Sequence, residues 1–462
     1  MLLALTFKNY GSFMEEATLD CQLSNFRRNV PEDGNWPSAT ERVIALYGAN
    51  ASGKSTVLNI LALLAIAVAN SRHDDSFLKK LRNPHRLNKE QPTEFEVEYV
   101  SNGYRFRWSL SLDDDGIFRE TLKSTKTGYW RLVFDRCRDE LRFGAGSGIP
   151  RAAQENIRQY IINSWVLTMT AWSGIKTRGE YYTAVEWWLF NMRVDCDSHR
   201  DAALDDSFFQ LIQNPLWVSA VHEVLRVADV DVSSVSVDER SIPYFPELVG
   251  TIAKLRKLRD LLNQSSTTES SDITEFVDRE GAVEFSQDER EMVLQSLVFT
   301  HGANNRTFDL KQEDESAGTR IWFRLSISVV YAIICGSVLV VDEIDSGLHP
   351  RLVNYLVSLF TNQNVNTSGA QLIFTAHNTA LLNDLTDANQ ESERARGIWL
   401  VEKNSSISEL TAMDEYAIRP THNVEKRYLQ GAFGAVPVVD QRLGDTIQHL
   451  RYEHPRLLEQ SS

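Results

Sequence analysis

Cysteine is scarce: four in 462 residues, Cys21, Cys137, Cys196 and Cys335, with no paired spacing. That excludes a disulfide framework and signals no zinc site, which fits a reducing cytosol. An excess of positive charge is also missing. Lys plus Arg number 48 against 63 Asp plus Glu, a formal charge of −15. Such a balance argues against a general basic coat for nucleic acid, although a local basic groove is compatible with it. One apolar stretch has to be weighed as a membrane span, which needs about 20 residues. The charge-free run Leu325 to Val341 falls short of that and is split by Gly336-Ser337, so it reads as a buried helix running into a buried strand. The opening, Met1 to Phe13, lacks a basic leader and a small-residue cleavage site. It reads as a first strand, and the expected location is cytoplasmic, with no membrane partner. No repeat and no sustained apolar heptad is present, hence no long coiled-coil arm.

What is present is ordinary for a globular chain: 42% apolar and 24% charged residues, which excludes a collagenous, fibrous or wholly disordered protein. The length predicts two or three domain-sized units, or one large domain with an insertion. Apolar runs at 2–7 and 41–47 read as strands, and 54–69 as a buried helix. Alternation over 94–100 and 104–112, around Ser101-Asn102-Gly103, predicts a hairpin, with further strands near 117–123 and 129–134. The period then turns helical, with candidates at 151–172, 180–193, 206–227 and 251–262. Past a Ser/Thr-rich loop at 264–273, helices at 319–334 and 350–361 alternate with strands at 337–341, 370–375 and 397–402. That alternation predicts a mostly parallel sheet flanked by helices. The expected fold is α/β: residues 1–150 as the first half of a nucleotide-binding head with an antiparallel β section, 151–290 as a helical insertion, and 291–462 as the second half of the head.

The strongest chemical signal is Gly48-Ala49-Asn50-Ala51-Ser52-Gly53-Lys54-Ser55, between an apolar strand and a helix. Glycines let backbone amides wrap phosphate oxygens, and the helix N-terminus adds positive dipole character. Asn50, Ala51, Ser52, Gly53 and Thr56 are expected to line the phosphates. Lys54 is placed to reach the β- and γ-phosphates, and Ser55 to ligate Mg²⁺. The second signal is the strand Val338 to Val341 ending in Asp342 and Glu343. Two acids are costly inside a fold but fit the carboxyl end of a strand, where α/β sheets bind ligands. Asp342 is expected to hold Mg²⁺ and Glu343 to polarise the attacking water. Glu315-Ser316-Ala317-Gly318-Thr319 starts the preceding helix, either as a simple cap or as an anion site. Asp345 to Pro350 follows the acids, and His377 ends the next strand, within reach of a γ-phosphate.

Taken in this order, the motifs resemble the ABC-type ATPases of the RecF/SMC class. Gly48–Ser55 looks like their Walker A, Ser316–Thr319 the signature, Val338–Glu343 Walker B, Asp345–His349 the D-loop and His377 the switch histidine. The resemblance implies an ATP- and Mg²⁺-dependent dimer, or a higher homo-oligomer, with each ATP between Walker A of one copy and the signature of the other. Ser316, Gly318 and Asp345 would then act in trans. More than 250 positions separate Walker A from the signature, unlike a compact transporter ATPase. The long insertion, the ESxGT signature, the opening Phe7–Phe13 and the tail Glu425–Pro437 resemble the anti-phage ATPases of the RloA, AbiL and PARIS AriA group. Gly11 and Ala432 stand where many of those relatives carry a basic residue. That group implies an abortive-infection sensor controlling a separately encoded effector, such as a TOPRIM, RloB-like or HNH nuclease, with a phage protein as a possible trigger. The competing readings are a RecF-like DNA-repair ATPase that binds nucleic acid, and a scaffold whose ATP is nearly structural.

Several other features have plainer readings. Gln91, beside Pro92, is a candidate for the Mg-binding glutamine of the class or a polar turn. The aromatic group Trp172, Tyr181, Tyr182, Trp187, Trp188 and Phe190 reads as helix core before base stacking. Lys254 to Arg259 reads as a solvated face as readily as a phosphate contact. The stretch after the strand near 400 is short for a nuclease domain.

Overall fold

Among the described residues, three β-sheets and the helices on their faces organise the fold. The computed structural model describes residues 1–23, 31, 34–70, 75–145, 147–161, 164–170, 180–195, 215–228, 232–243, 282–285, 291–303, 306–387, 395–416, 418, 422–436 and 442–453. The first part comprises β1 (Leu2–Lys8), β2 (Ala17–Asp20), β3 (Val43–Tyr47), α1 (Lys54–Asn70), α2 (Ser76–Leu81), β4 (Thr93–Ser101), β5 (Tyr104–Asp113), β6 (Gly116–Thr125), β7 (Arg131–Cys137) and β8 (Glu140–Phe143). Then come α3 (Arg151–Tyr160), α4 (Glu180–Phe190), β9 (Met192–Asp195), α5 (Pro215–Val227), β10 (Val232–Pro243), β11 (Ala282–Phe285), β12 (Glu291–Ala303) and β13 (Arg306–Lys311). The last part holds α6 (Ala317–Cys335), β14 (Val338–Val341), α7 (Pro350–Thr361), β15 (Gln371–Thr375), α8 (Ala380–Asp387), β16 (Ile398–Asn404), β17 (Ile407–Ala412), α9 (Val424–Leu429) and α10 (Arg442–Glu453).

The central sheet has the order β17-β16-β3-β15-β14-β9. All its pairings are parallel except β16 with β17. β3, β14 and β15 are buried along their whole length, which is why they read as unbroken apolar runs. Successive residues still go to opposite faces. Ile44, Leu46, Val338 and Val340 enter one core with α1 and the antiparallel sheet. Val43, Ala45, Tyr47, Leu339 and Val341 enter the other with α6, α7 and α8.

The antiparallel sheet β2-β1-β4-β5-β6-β7-β8 covers the α1 side. Ser101 pairs with Tyr104, so Asn102 (φ +48) and Gly103 (φ +74) form a two-residue turn with both residues left-handed, as the hairpin reading requires. Gln371 ties the two sheets together: Leu2 N donates to its Oε1 at 2.7 Å, and its Nε2 donates to Leu2 O and Glu41 O at 3.0 and 3.1 Å. The break at Gly336-Ser337 is a left-handed C-cap of α6, with Gly336 at φ +67 donating its amide to Ala332 O. α6 is the one helix among the described residues long and apolar enough to cross a bilayer, and half of that stretch is buried in the fold.

The described residues within 151–290 include strands as well as helices. α3, α4 and α5 fall within three of the expected helical segments, whereas 251–262 lies outside the described residues. β9 joins the central sheet as its edge, parallel to β14. Four residues are too few for a pattern to show; the neighbouring strand selects the conformation. β10, β11, β12 and β13 form a four-stranded antiparallel sheet, and the alternation of Val235 and Val237 with serines was a readable trace of it. Of the aromatic group, Tyr181, Trp187 and Trp188 are buried as helix core, Tyr182 and Phe190 are exposed, and Trp172 lies outside the described residues.

Candidate nucleotide-binding site

The phosphate loop leaves the carboxyl end of β3 and runs directly into α1, whose first residue is Lys54. Two features shape it. Ala51 (φ +61) and Gly53 (φ +115) take left-handed steps, the kind of turn in which successive amides form an anion-accepting concavity. Gly48 has no room for a side chain: a Cβ there would lie 2.2 Å from Val401 O on β16. Asn50 and Ala51 form the exposed tip, while Ser52 is buried.

Distant segments brace the loop. Ser408 Oγ donates to Ser52 O at 2.5 Å and lies 2.7 Å from Ser12 Oγ, and Ser408 N donates to Ser12 O at 2.8 Å. A Cβ on Gly53 would meet Phe13, Ser12 and Ser408 at 3.0 to 3.1 Å. Thr56, on the first turn of α1, packs its methyl against Gly11. Sequence reasoning missed Ser408, because its role depends on a strand more than 350 positions from the loop.

Lys54 is nearly buried, and its ammonium donates to Gly48 O at 2.8 Å and Ala49 O at 3.1 Å. Burial pulls its pKa below the ordinary lysine range, while Asp342, Glu343 and Asp345 pull the other way. Ser55 Oγ donates to Asp342 Oδ1 at 3.1 Å. β3 and β14 are separated by β15, and Thr375 at its end bridges to the acids. Its hydroxyl donates to Asp342 Oδ1 at 2.5 Å and accepts from Glu343 N at 2.7 Å. Glu343 takes φ +50, and its Oε1 lies 3.7 Å from His377 Nε2. Five expected residues, Lys54, Ser55, Asp342, Glu343 and His377, therefore converge at one end of one sheet.

Asp345, expected to act across a dimer, uses Oδ2 within its own chain to accept from His377 N and Asn378 N at 2.9 and 2.5 Å. Ser316 caps α6, its Oγ accepting from Thr319 N at 3.1 Å. Gly318 faces Gly347 O, 3.5 Å from where a Cβ would stand. Neither has a hydrogen bond to the phosphate loop among the described residues. Gln91 is exposed, and its carbonyl accepts from Asn9 Nδ2 and Arg82 Nη1, both at 2.9 Å. Those contacts support the polar-turn reading. Lys254 to Arg259 lie outside the described residues.

The site fits a nucleotide triphosphate with Mg²⁺. The buried Ser52 Oγ has no hydrogen-bond partner, an orphan that a bound oxyanion would satisfy. Ser55 and Asp342 offer hard oxygen donors side by side. Among the described residues no cluster of three His, Cys, Asp or Glu side chains exists to hold a metal.

A family model described as "AAA domain, putative AbiEii toxin, Type IV TA system" matches residues 43–157 and 197–383, more than half of the chain. No curated protein matches. Among solved structures, the SMC head domain from Thermotoga maritima is 13% identical, with 89% of this chain and 98% of that one covered and a TM-score of 0.36. The SmcHead bound to the C-winged helix domain of ScpA is 11% identical, with coverages of 90% and 98% and a TM-score of 0.39.

Proposed function

The chain belongs to the AAA domain family described as putative AbiEii toxin, Type IV TA system, and from that premise we propose that this P-loop ATPase hydrolyses ATP to control a separately encoded effector in anti-phage defence. The observation that supports hydrolysis is the Ser55–Asp342–Thr375–Glu343 chain of hydrogen bonds, closed by His377 3.7 Å from Glu343. The loop amides and Lys54 bind the phosphates. Ser55 and Asp342 would hold Mg²⁺, which when bound supplies charge that neutralises the phosphate oxygens. Glu343 orients the attacking water and draws on its proton, and His377 stands where a γ-phosphate would be sensed. Ser316 and Gly318 complete the site from a second copy. The cis contacts of Asp345 link its loop to the histidine that follows β15.

The defence role rests on the resemblance of the long insertion, the ESxGT signature, the opening Phe7–Phe13 and the tail Glu425–Pro437 to anti-phage ATPases, and the chemistry of the site is silent on it. One variant tests the core of the reading. Glu343→Gln is expected to abolish phosphate release, retain ATP binding, and accumulate an ATP-bound dimer in light scattering. A Glu343→Gln protein that stays monomeric with ATP and Mg²⁺ would remove Ser316 and Gly318 from the site. For the partner, pull-down from the native host is expected to recover a stoichiometric nuclease or other toxic enzyme. Recovery of recombination proteins or DNA alone would reassign the protein to genome maintenance.

A further inference from the structure

Thr375 is fully buried, and its single hydroxyl serves both acids at once. A carboxylate accepts only, so the hydroxyl proton goes to Asp342 Oδ1 at 2.5 Å, and an oxygen lone pair is left to accept the Glu343 amide at 2.7 Å. Thr375 O accepts from Ile344 N at 3.0 Å. Two positions further along each turn, Asp345 Oδ2 accepts the His377 and Asn378 amides. The turn after β14 and the turn after β15 are thus pinned to each other at several points. Between the pins sits Glu343 in the left-handed region, at φ +50. A non-glycine residue keeps that conformation only where its surroundings over-determine it. Here the surroundings are the Thr375 hydroxyl on its amide and the Ile344 amide bonded just beyond.

We propose that Thr375 is a positioning residue for ATP hydrolysis. It holds Glu343 in the left-handed turn that sets its carboxylate beside His377, and it fixes the rotation of the Asp342 carboxylate shared with Ser55. This rests on the hydrolysis reading above. Valine matches the shape of threonine but neither donates nor accepts; serine does both. Removing an outer hydrogen-bond partner of this kind costs about 10–100-fold.

Thr375→Val is therefore expected to lower kcat by about 10–100-fold, with the Kd of a fluorescent ATP analogue changed by less than about threefold, while Thr375→Ser keeps most of the rate. Hydrogen exchange gives a readout independent of turnover. The Glu343 and Ile344 amides should lose protection in Thr375→Val and retain it in Thr375→Ser. Should Thr375→Val not fold, Thr375→Ala makes the same comparison without a buried methyl in the hydroxyl's place. Wild-type kcat and protection in the valine variant would overturn the proposal, as would equal losses in the valine and serine variants. If the wild type itself does not turn over ATP, the hydrolysis reading fails and exchange alone decides. Protection lost in valine and kept in serine upholds the clamp, and unchanged protection overturns it.

Discussion

Replacing Gln371 by leucine tests whether the two large sheets act as one body. The Gln371 side chain is fully buried and makes three hydrogen bonds, one from Leu2 N and two to the carbonyls of Leu2 and Glu41. Leucine fills much of the volume but offers no polar atom. Leu2 N–H would be left buried without a partner, a penalty of about 1–3 kcal/mol, and the two carbonyls would each lose a donor at about 0.5–1.5 kcal/mol. Partial relaxation recovers some of this, so a net loss of about 2–4 kcal/mol is expected. In a cooperative unit of about 150–250 residues, each kcal/mol lowers Tm by about 2–4 °C, giving a drop of roughly 4–16 °C. Differential scanning calorimetry with and without nucleotide measures it. ATP affinity should change little, because Gln371 lies at the opposite end of β15 from Thr375. A Tm within 1 °C of wild type would refute the argument that this side chain couples the sheets. A collapse of ATP affinity with unchanged Tm would refute the claim that coupling and binding are separable.

Gly48→Ala is expected to weaken ATP binding at least tenfold and to cost about 1–3 kcal/mol of stability, because the new Cβ would sit 2.2 Å from a main-chain oxygen of β16; nucleotide titration and urea unfolding check both. Alkaline pH should destabilise the fold through Tyr10 and Tyr428, each pushed up by burial from 10.0 to about 12. The unfolded chain ionises first, so this contribution is whole below pH 10 and is lost as pH rises from 10 to 12. A urea midpoint that does not fall between pH 9 and 11.5 would contradict it.

Much of the site was legible because its signals are short-range. A glycine-rich turn between an apolar strand and a helix, two acids ending a strand, and a serine heading a helix each occupy a few consecutive residues. The central strands were legible for a related reason. Burial on both faces demands unbroken apolar runs, and β3, β14 and β15 have them. The Asn102-Gly103 turn and the cap at Gly336 were readable because left-handed backbone restricts residue choice locally. Other features became visible only in three dimensions. Ser55 meets Asp342 across 287 positions, and Ser408 meets Ser52 across 356. Thr375 looks like any threonine closing a strand until β15 is placed between the phosphate loop and the acids. β9 has too few residues to declare itself and becomes a strand because β14 offers an unpaired edge. Residue patterns encode what a segment can do alone, whereas hydrogen-bond partners far apart in sequence are chosen by the packing of whole sheets.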